Sequence, residues 1–202
     1  MTRIVAGAAR GRRLAVPPQG TRPTSDRVRE AVFSAAESTL GPLGGTRVLD
    51  LYAGSGAIGL EALSRGATTV LLVERDRTAL AVLRRNVDTV GLAGATVVAD
   101  DVVRATRGPL PAAAGGPLDL VYVDPPYDVP AAEVEQVLTG LAQGWLASGA
   151  LVLVERARRD ADLAWPEGFE PGRTRTYGET VVIEALWYGR DEVPAATDAA
   201  PA

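Results

Sequence analysis

Five short, almost wholly apolar runs recur through the middle of the chain: TRVLDL (46–51), TTVLLVE (68–74), ATVVA (95–99), LDLVYV (118–123) and ALVLVE (150–155). A strand that is apolar at nearly every position is buried on both faces. That environment exists in a parallel sheet covered by helices on each side. Helical periods separate several of these runs. GAIGLEALSRG (56–66) ends at Gly66, DRTALAVLRRNVDTVG (76–91) starts from a capping Asp76 and stops at Gly91, and AAEVEQVLTGLAQG (131–144) follows the fourth run. RGPLPAAAGGP (107–117) reads as a surface loop. GRTRTYGETVVIEALWYG (172–189) reads as two strands turned at Tyr177-Gly178-Glu179. The predicted fold is α/β, a doubly wound, mostly parallel seven-stranded sheet.

The two ends differ from this body. RIVAG and RRLAVP flank a Gly/Arg turn and predict a small β-hairpin. PQGTRPT is a loop, and Ser25 or Asp26 can cap a helix through residue 40, where Val28, Val32, Ala35 and Ala36 recur at helical spacing. The division expected is a basic hairpin over 1–20, one domain over 21–189, and a disordered tail over 190–202. Residues 1–29 carry Arg3, Arg10, Arg12, Arg13, Arg22, Arg27 and Arg29 against Asp26 alone, a net +6, whereas the whole chain is −4. The rest of the chain is therefore −10, and a basic segment on an acidic body suits a polyanionic partner.

Composition narrows the chemistry. The chain has no cysteine and no histidine. That removes disulfides, thiolate nucleophiles, imidazole bases and the usual zinc sites. Catalysis is left to carboxylates, hydroxyls, arginine, backbone groups or a reactive cofactor, and no metal is expected. No apolar run approaches the roughly 18 residues of a membrane span, and the opening residues lack a signal-peptide core. A cytoplasmic monomer with no membrane partner is the expectation.

DLYAGSGAIG (50–59) lies between the first apolar run and the first crossover helix, where open α/β sheets bind their ligands. Gly54-Ser55-Gly56-Ala57-Ile58-Gly59 fits Gly-x-Gly-x-x-Gly. Asp50, Ala53, Gly54, Ser55 and Gly56 are candidate cofactor residues. Glu74 ends the second run 20 positions after Gly54 and is placed to hold a ribose diol. Asp100 and Asp101 follow the third run and are placed to meet an adenine amine. NAD and S-adenosylmethionine both carry an adenosine ribose, so Glu74 does not separate them. Asp50 favours the second, since a carboxylate there repels a pyrophosphate and suits an ammonium and a sulfonium.

The fourth run ends in Asp124-Pro125-Pro126-Tyr127. Both prolines fix φ and donate no backbone hydrogen bond. Asp124 and the proline carbonyls form a set of acceptors, and Tyr127 offers a flat face. The cluster fits an exocyclic NH₂ on a heterocycle, held by stacking and two acceptors. Such an amine is a poor nucleophile until its N–H bonds are held and its lone pair is aimed at an electrophile such as a methyl sulfonium. No Cys or His is needed. Methylation at C5 of a pyrimidine, which normally uses a cysteine, does not fit.

The whole chain from residue 3 to about 189 resembles the RsmD-type guanine-N2 methyltransferases of 16S ribosomal RNA. The likeness rests on RIVAGAARGRRL, RPTSDRVREAVFS, LDLYAGSGAIGLEALSRGA, VERD and VYVDPPY. It implies a Rossmann-like class I methyltransferase that uses S-adenosylmethionine, releases S-adenosylhomocysteine, and methylates a guanine N2 amine in 16S rRNA of a 30S subunit or assembly intermediate. It also implies that Asp50, Gly54, Ser55, Gly56, Glu74 and Asp101 hold cofactor, with Thr24 near the cofactor mouth beside Arg22 and Pro23. Asp124 through Tyr127 would hold the base. Arg10, Arg12, Arg13, Arg22 and Arg27 are the candidate RNA contacts. Other readings stay open: an N6-adenine methyltransferase, a protein-glutamine methyltransferase, an NAD-dependent oxidoreductase, and a non-catalytic ribosome-assembly factor.

Overall fold

The computed structural model describes residues 2–17 and 26–189, with the side chains of Asp26 and Arg27 left aside. Thr24 and Arg22, the boundary expected at 20/21 and the tail from 190 fall outside the described residues, as does the side chain of Arg27.

The five apolar runs form β3 (Arg47–Leu51), β4 (Thr69–Glu74), β5 (Ala95–Ala99), β6 (Leu118–Val123) and β7 (Leu146–Ala157), which run parallel to one another. The closing hairpin is β8 (Phe169–Tyr177) and β9 (Thr180–Trp187), and β9 lies antiparallel to β7. The sheet order is β5-β4-β3-β6-β7-β9-β8, so the direction of winding reverses between β3 and β6. The fold is thus the α/β, mostly parallel seven-stranded sheet that the alternating apolar runs predict.

Side-chain alternation along the strands divides the core in two. Val48, Val70, Leu72, Leu120, Tyr122, Leu151, Leu153 and Val182 face one layer. That layer holds α1 (Asp26–Leu40), α2 (Ala57–Ser64) and α3 (Arg77–Val90). Leu49, Leu51, Leu71, Val73, Val121, Val123, Val152 and Val154 face the other, against α4 (Val102–Arg107) and α5 (Ala131–Leu141). Helix α3 starts and ends where expected: Asp76 accepts the Ala79 N–H, and Gly91 closes the last turn. Helix α4 lies in a stretch that carried no helix prediction. Six residues are too few to show a period, and Asp101 caps it from within the acid pair.

The N-terminal hairpin is short, with β1 (Thr2–Arg3) opposite β2 (Arg13–Leu14). It packs into the body. Ile4, Ala9 and Leu14 are buried in the same core as α1, α2 and α3, each large apolar side chain worth about 1.5–3 kcal/mol. Polar groups fix its position. The fully buried carboxylate of Glu61 on α2 accepts the N–H of Val5 at 2.7 Å and of Ala6 at 2.9 Å, and the Ser64 hydroxyl oxygen accepts that of Ala9. The Arg29 guanidinium donates to Thr2 Oγ1 and to the Arg3 carbonyl. Asn86 of α3 pairs with Ala15 through both its N–H and its carbonyl, and also donates to the Ser55 carbonyl at 2.8 Å.

Candidate active site

The carboxyl ends of β4, β3, β6 and β7 open into one cleft of about 960 Å³. The glycine loop and the Asp-Pro-Pro-Tyr segment both line it, through Ala53, Gly54 and Ser55 on one side and Asp124, Pro125, Pro126 and Tyr127 on the other. The reason is topological. β3 and β6 are adjacent with Leu51 opposite Val123, and the Asp124 N–H donates to the Leu51 carbonyl at 3.3 Å. Two segments some seventy residues apart therefore meet at the point where the sheet reverses its winding, the usual ligand crevice of such sheets.

Strand periodicity sets the chemistry of the rim. Glu74 lies two residues beyond Leu72, and Asp124 two beyond Tyr122; Glu155 lies two beyond Leu153, and Asp50 pairs with Leu72 and Tyr122. All four carboxylates consequently stand on the same face of the sheet, at the ends of four adjacent strands, and all four line the cleft. Such a row repels polyphosphate and favours a cationic ligand.

Asp50 is almost fully buried, and its Oδ2 accepts the Gly59 N–H at 2.9 Å. Burial pushes its carboxyl up to about 8. The bond from Gly59 works against that rise and the nearby charge of Glu74 adds to it. Glu74 holds the loop: its Oε2 accepts the Gly54 N–H at 2.8 Å, while Oε1 accepts the N–H groups of Arg75 and Asp76 at 2.8 Å each. A carboxylate has about four acceptor positions, so these three bonds leave about one for a ligand hydroxyl.

The loop glycines are constrained by packing as well as by access. Gly56 has φ 76° and caps α2; a Cβ there would lie 2.3 Å from Leu83 Cδ1. A Cβ on Gly59 would meet Leu72 and Val70 under 3.0 Å. Tyr52, just before the loop, holds φ 59°, a left-handed backbone unusual for a bulky residue. Its buried hydroxyl has no hydrogen-bond partner among the described residues. Burial first, then the charges of Glu133 and Asp101, push that hydroxyl upward.

At the acceptor side, Asp124 is half-buried, Pro125 is buried, and Tyr127 is 46% exposed, the most exposed large apolar residue among those described. The two proline carbonyls differ in their partners within the protein. The Pro126 carbonyl closes a turn by accepting the Val129 N–H at 3.0 Å, while that of Pro125 accepts none among the described residues. The Pro126 oxygen keeps a second lone pair, so both carbonyls retain acceptor capacity at the cleft.

The remaining candidates lie apart. Asp100 and Asp101 do not line the cleft, although Val102 does. Asp100 is tied to Arg104, whose guanidinium holds its carboxyl below the usual range, and Asp101 pairs with Arg75 at 2.8 Å. Arg10 and Arg13 are exposed on the hairpin. Arg12 is also exposed, but its guanidinium caps α3 by donating to the carbonyls of Thr89, at 2.9 Å, and Val90. Residues that line the cleft without having been singled out from the sequence include Thr2, Val16 and Pro17 from the N-terminal segment, and Tyr122 and Glu155. The alternation Leu151, Leu153, Glu155 was a readable signal for the last of these.

The family model described as conserved hypothetical protein 95 matches residues 2–185. Ribosomal RNA small subunit methyltransferase D of Escherichia coli (strain K12) is 41% identical over 155 residues, 76% of this chain and 73% of that protein. The protein of the same name from Haemophilus influenzae is 36% identical over 179 residues, 87% of this chain and 89% of that one. The solved structure of yhhF from Escherichia coli superposes with a TM-score of 0.79 at 32% identity, covering 92% of this chain and 97% of that one. With the family model spanning nearly the whole described chain, this protein belongs to the conserved hypothetical protein 95 family, that of the RsmD-type methyltransferases.

Proposed function

We propose that this protein transfers a methyl group from S-adenosylmethionine to the exocyclic N2 amine of a guanine in 16S rRNA, acting as a monomer on a 30S subunit or an assembly intermediate. The observation that carries this reading is the shared cleft: the glycine loop and the Asp124–Tyr127 segment open onto one another across β3 and β6. The names of the relatives support the RNA class.

The residues present fit the cofactor. The cleft volume suits a ligand of that size. A row of carboxylates suits its ammonium and sulfonium groups, and Asp50, raised to about 8 by burial, is relieved by a cation beside it. Asp50 and the loop at Ala53, Gly54, Ser55 and Gly56 would hold the amino-acid end and Glu74 the ribose diol. The adenine would extend toward Val102, with Asp101 and Asp100 beyond it. When bound, S-adenosylmethionine supplies a methyl group on a positively charged sulfur.

The chain's own residues do the rest by positioning. Tyr127 stacks on the base. The Asp124 carboxylate and the Pro125 carbonyl accept the two N–H bonds of the amine, which draws its lone pair out of conjugation and aims it across the cleft. Once the amine has been alkylated it is acidic, and Asp124 takes the released proton. Arg10 and Arg13, exposed on the hairpin, contact phosphates and orient the RNA.

A tritium methyl-transfer assay tests this, comparing 30S particles, isolated 16S rRNA and DNA, followed by mapping of the labelled base. Label on guanine N2 of the rRNA is expected. Label on adenine, on DNA only, or nowhere overturns the proposal.

A further inference from the structure

Glu155 has no part in the roles above, yet it stands on the same rim. β6 and β7 run parallel with Val123 opposite Val154, so one further step along both strands brings Asp124 beside Glu155. Adjacent strands lie about 4.8 Å apart, and both side chains line the cleft. In the sheet order β4-β3-β6-β7, Glu155 is the carboxylate farthest from Glu74. It therefore belongs to the acceptor half of the cleft rather than to the half beneath the glycine loop. Only 8% exposed, it is buried, and its Oε2 accepts the hydroxyl of Tyr122, which is itself fully enclosed beneath the rim. A carboxylate kept at this depth carries a desolvation cost that a purely structural position would avoid with an apolar side chain.

We propose that Glu155 reads the ring edge of the target base, accepting the N1–H of guanine while Asp124 holds the adjacent N2 amine. This rests on the reading that guanine N2 is the methyl acceptor. Guanine presents two donors side by side on that edge, N1–H and N2–H₂, which match two neighbouring carboxylates. A purine with a bare N1 presents a lone pair to Glu155 instead, and the two repel. A charge-assisted hydrogen bond of this kind corresponds to roughly 10- to 100-fold discrimination. Tyr122 is the positioning residue that fixes the Glu155 carboxylate.

The test uses 30S particles in which the guanine labelled by the wild-type protein is replaced with 2-aminopurine. That base keeps the N2 amine and lacks the N1 hydrogen. The wild-type protein is expected to prefer guanine by at least about tenfold in kcat/KM. Glu155→Gln is expected to lose most of that preference, because an amide offers both a donor and an acceptor. Its affinity for S-adenosylhomocysteine, measured by calorimetry, should stay near wild type. A Glu155→Gln variant that discriminates as the wild type does, or a wild-type protein that uses both bases equally, overturns the proposal. If Glu155→Gln does not fold, Tyr122→Phe decides, since it keeps the carboxylate and removes its support. A reduced preference supports the assignment and an unchanged one rejects it. A wild-type protein that methylates no guanine instead brings down the guanine-N2 reading itself, and this proposal with it.

Discussion

Glu74 Oε2 accepts the backbone N–H of Gly54 at 2.8 Å, so the carboxylate at the end of β4 sets the shape of the loop that follows β3. The same side chain also accepts from Arg75 and Asp76, which makes it the junction of the loop, the strand and the start of α3. Glu74→Ala leaves three backbone donors without their acceptor, and two or more such losses cost about 2–4 kcal/mol. The expected outcome is a lower thermal midpoint and at least about tenfold weaker binding of S-adenosylhomocysteine. Calorimetry and a melting curve check both; unchanged affinity removes Glu74 from the cofactor site.

Asp50 makes ligand binding depend on pH. Its ordinary value is 3.8 and burial raises it to about 8 in the folded chain. Between those values the folded chain binds the proton more tightly than the unfolded chain does. This group's contribution to stability therefore falls as pH rises from about 4 to 8, and is level above. A cationic ligand favours the ionised form, so binding below pH 8 releases a proton and affinity rises with pH up to that point. The slope is at most about tenfold per pH unit. Calorimetry in two buffers of different ionisation heat detects the proton; Asp50→Asn should abolish both the release and the slope.

Asp124 stands at the acceptor side of the cleft, at the end of β6. Asp124→Ala is expected to lower kcat for methyl transfer by at least about 100-fold, the loss typical of a positioned general base. Affinity for S-adenosylhomocysteine should change less than about threefold. Single-turnover transfer alongside calorimetry separates the two. Full turnover in the variant would falsify the assignment of Asp124.

Arg12 and Arg13 are adjacent in sequence and differ in employment. Arg12 caps the end of α3 through the Thr89 and Val90 carbonyls, whereas Arg13 is exposed on β2. Arg13→Glu should weaken RNA binding and reduce the slope of log affinity against log salt by roughly one, with an unchanged melting point. Arg12→Glu should in addition lose about 1 kcal/mol of stability from the helix terminus. Salt-dependent RNA titration and thermal melting distinguish them; equal melting points would mean that the cap contributes nothing.

The strands, α3 with its caps, the closing hairpin and the motifs at the strand ends were legible because each depends on neighbours close in sequence. Period-two burial, an Asp three residues before the N–H it accepts, and a Gly at a left-handed stop are local rules. Helix α4 was missed because six residues show no period. The bond from Val129 to the Pro126 carbonyl was not legible, because it depends on a turn that the two prolines alone do not dictate. Asp100 and Asp101 pair with Arg104 and Arg75, and neither lines the cleft.

By itself, the sequence determined the layered sheet, the absence of thiol and imidazole chemistry, and the loop and acceptor motif. All of these follow from composition and from periods only a few residues long. Tertiary structure alone decided that Asn86 ties Ala15 to Ser55 and that Tyr122 supports Glu155 at the rim. Those contacts join residues some thirty to seventy positions apart. Their partners are selected by how helices and strands pack, a choice that no local pattern encodes.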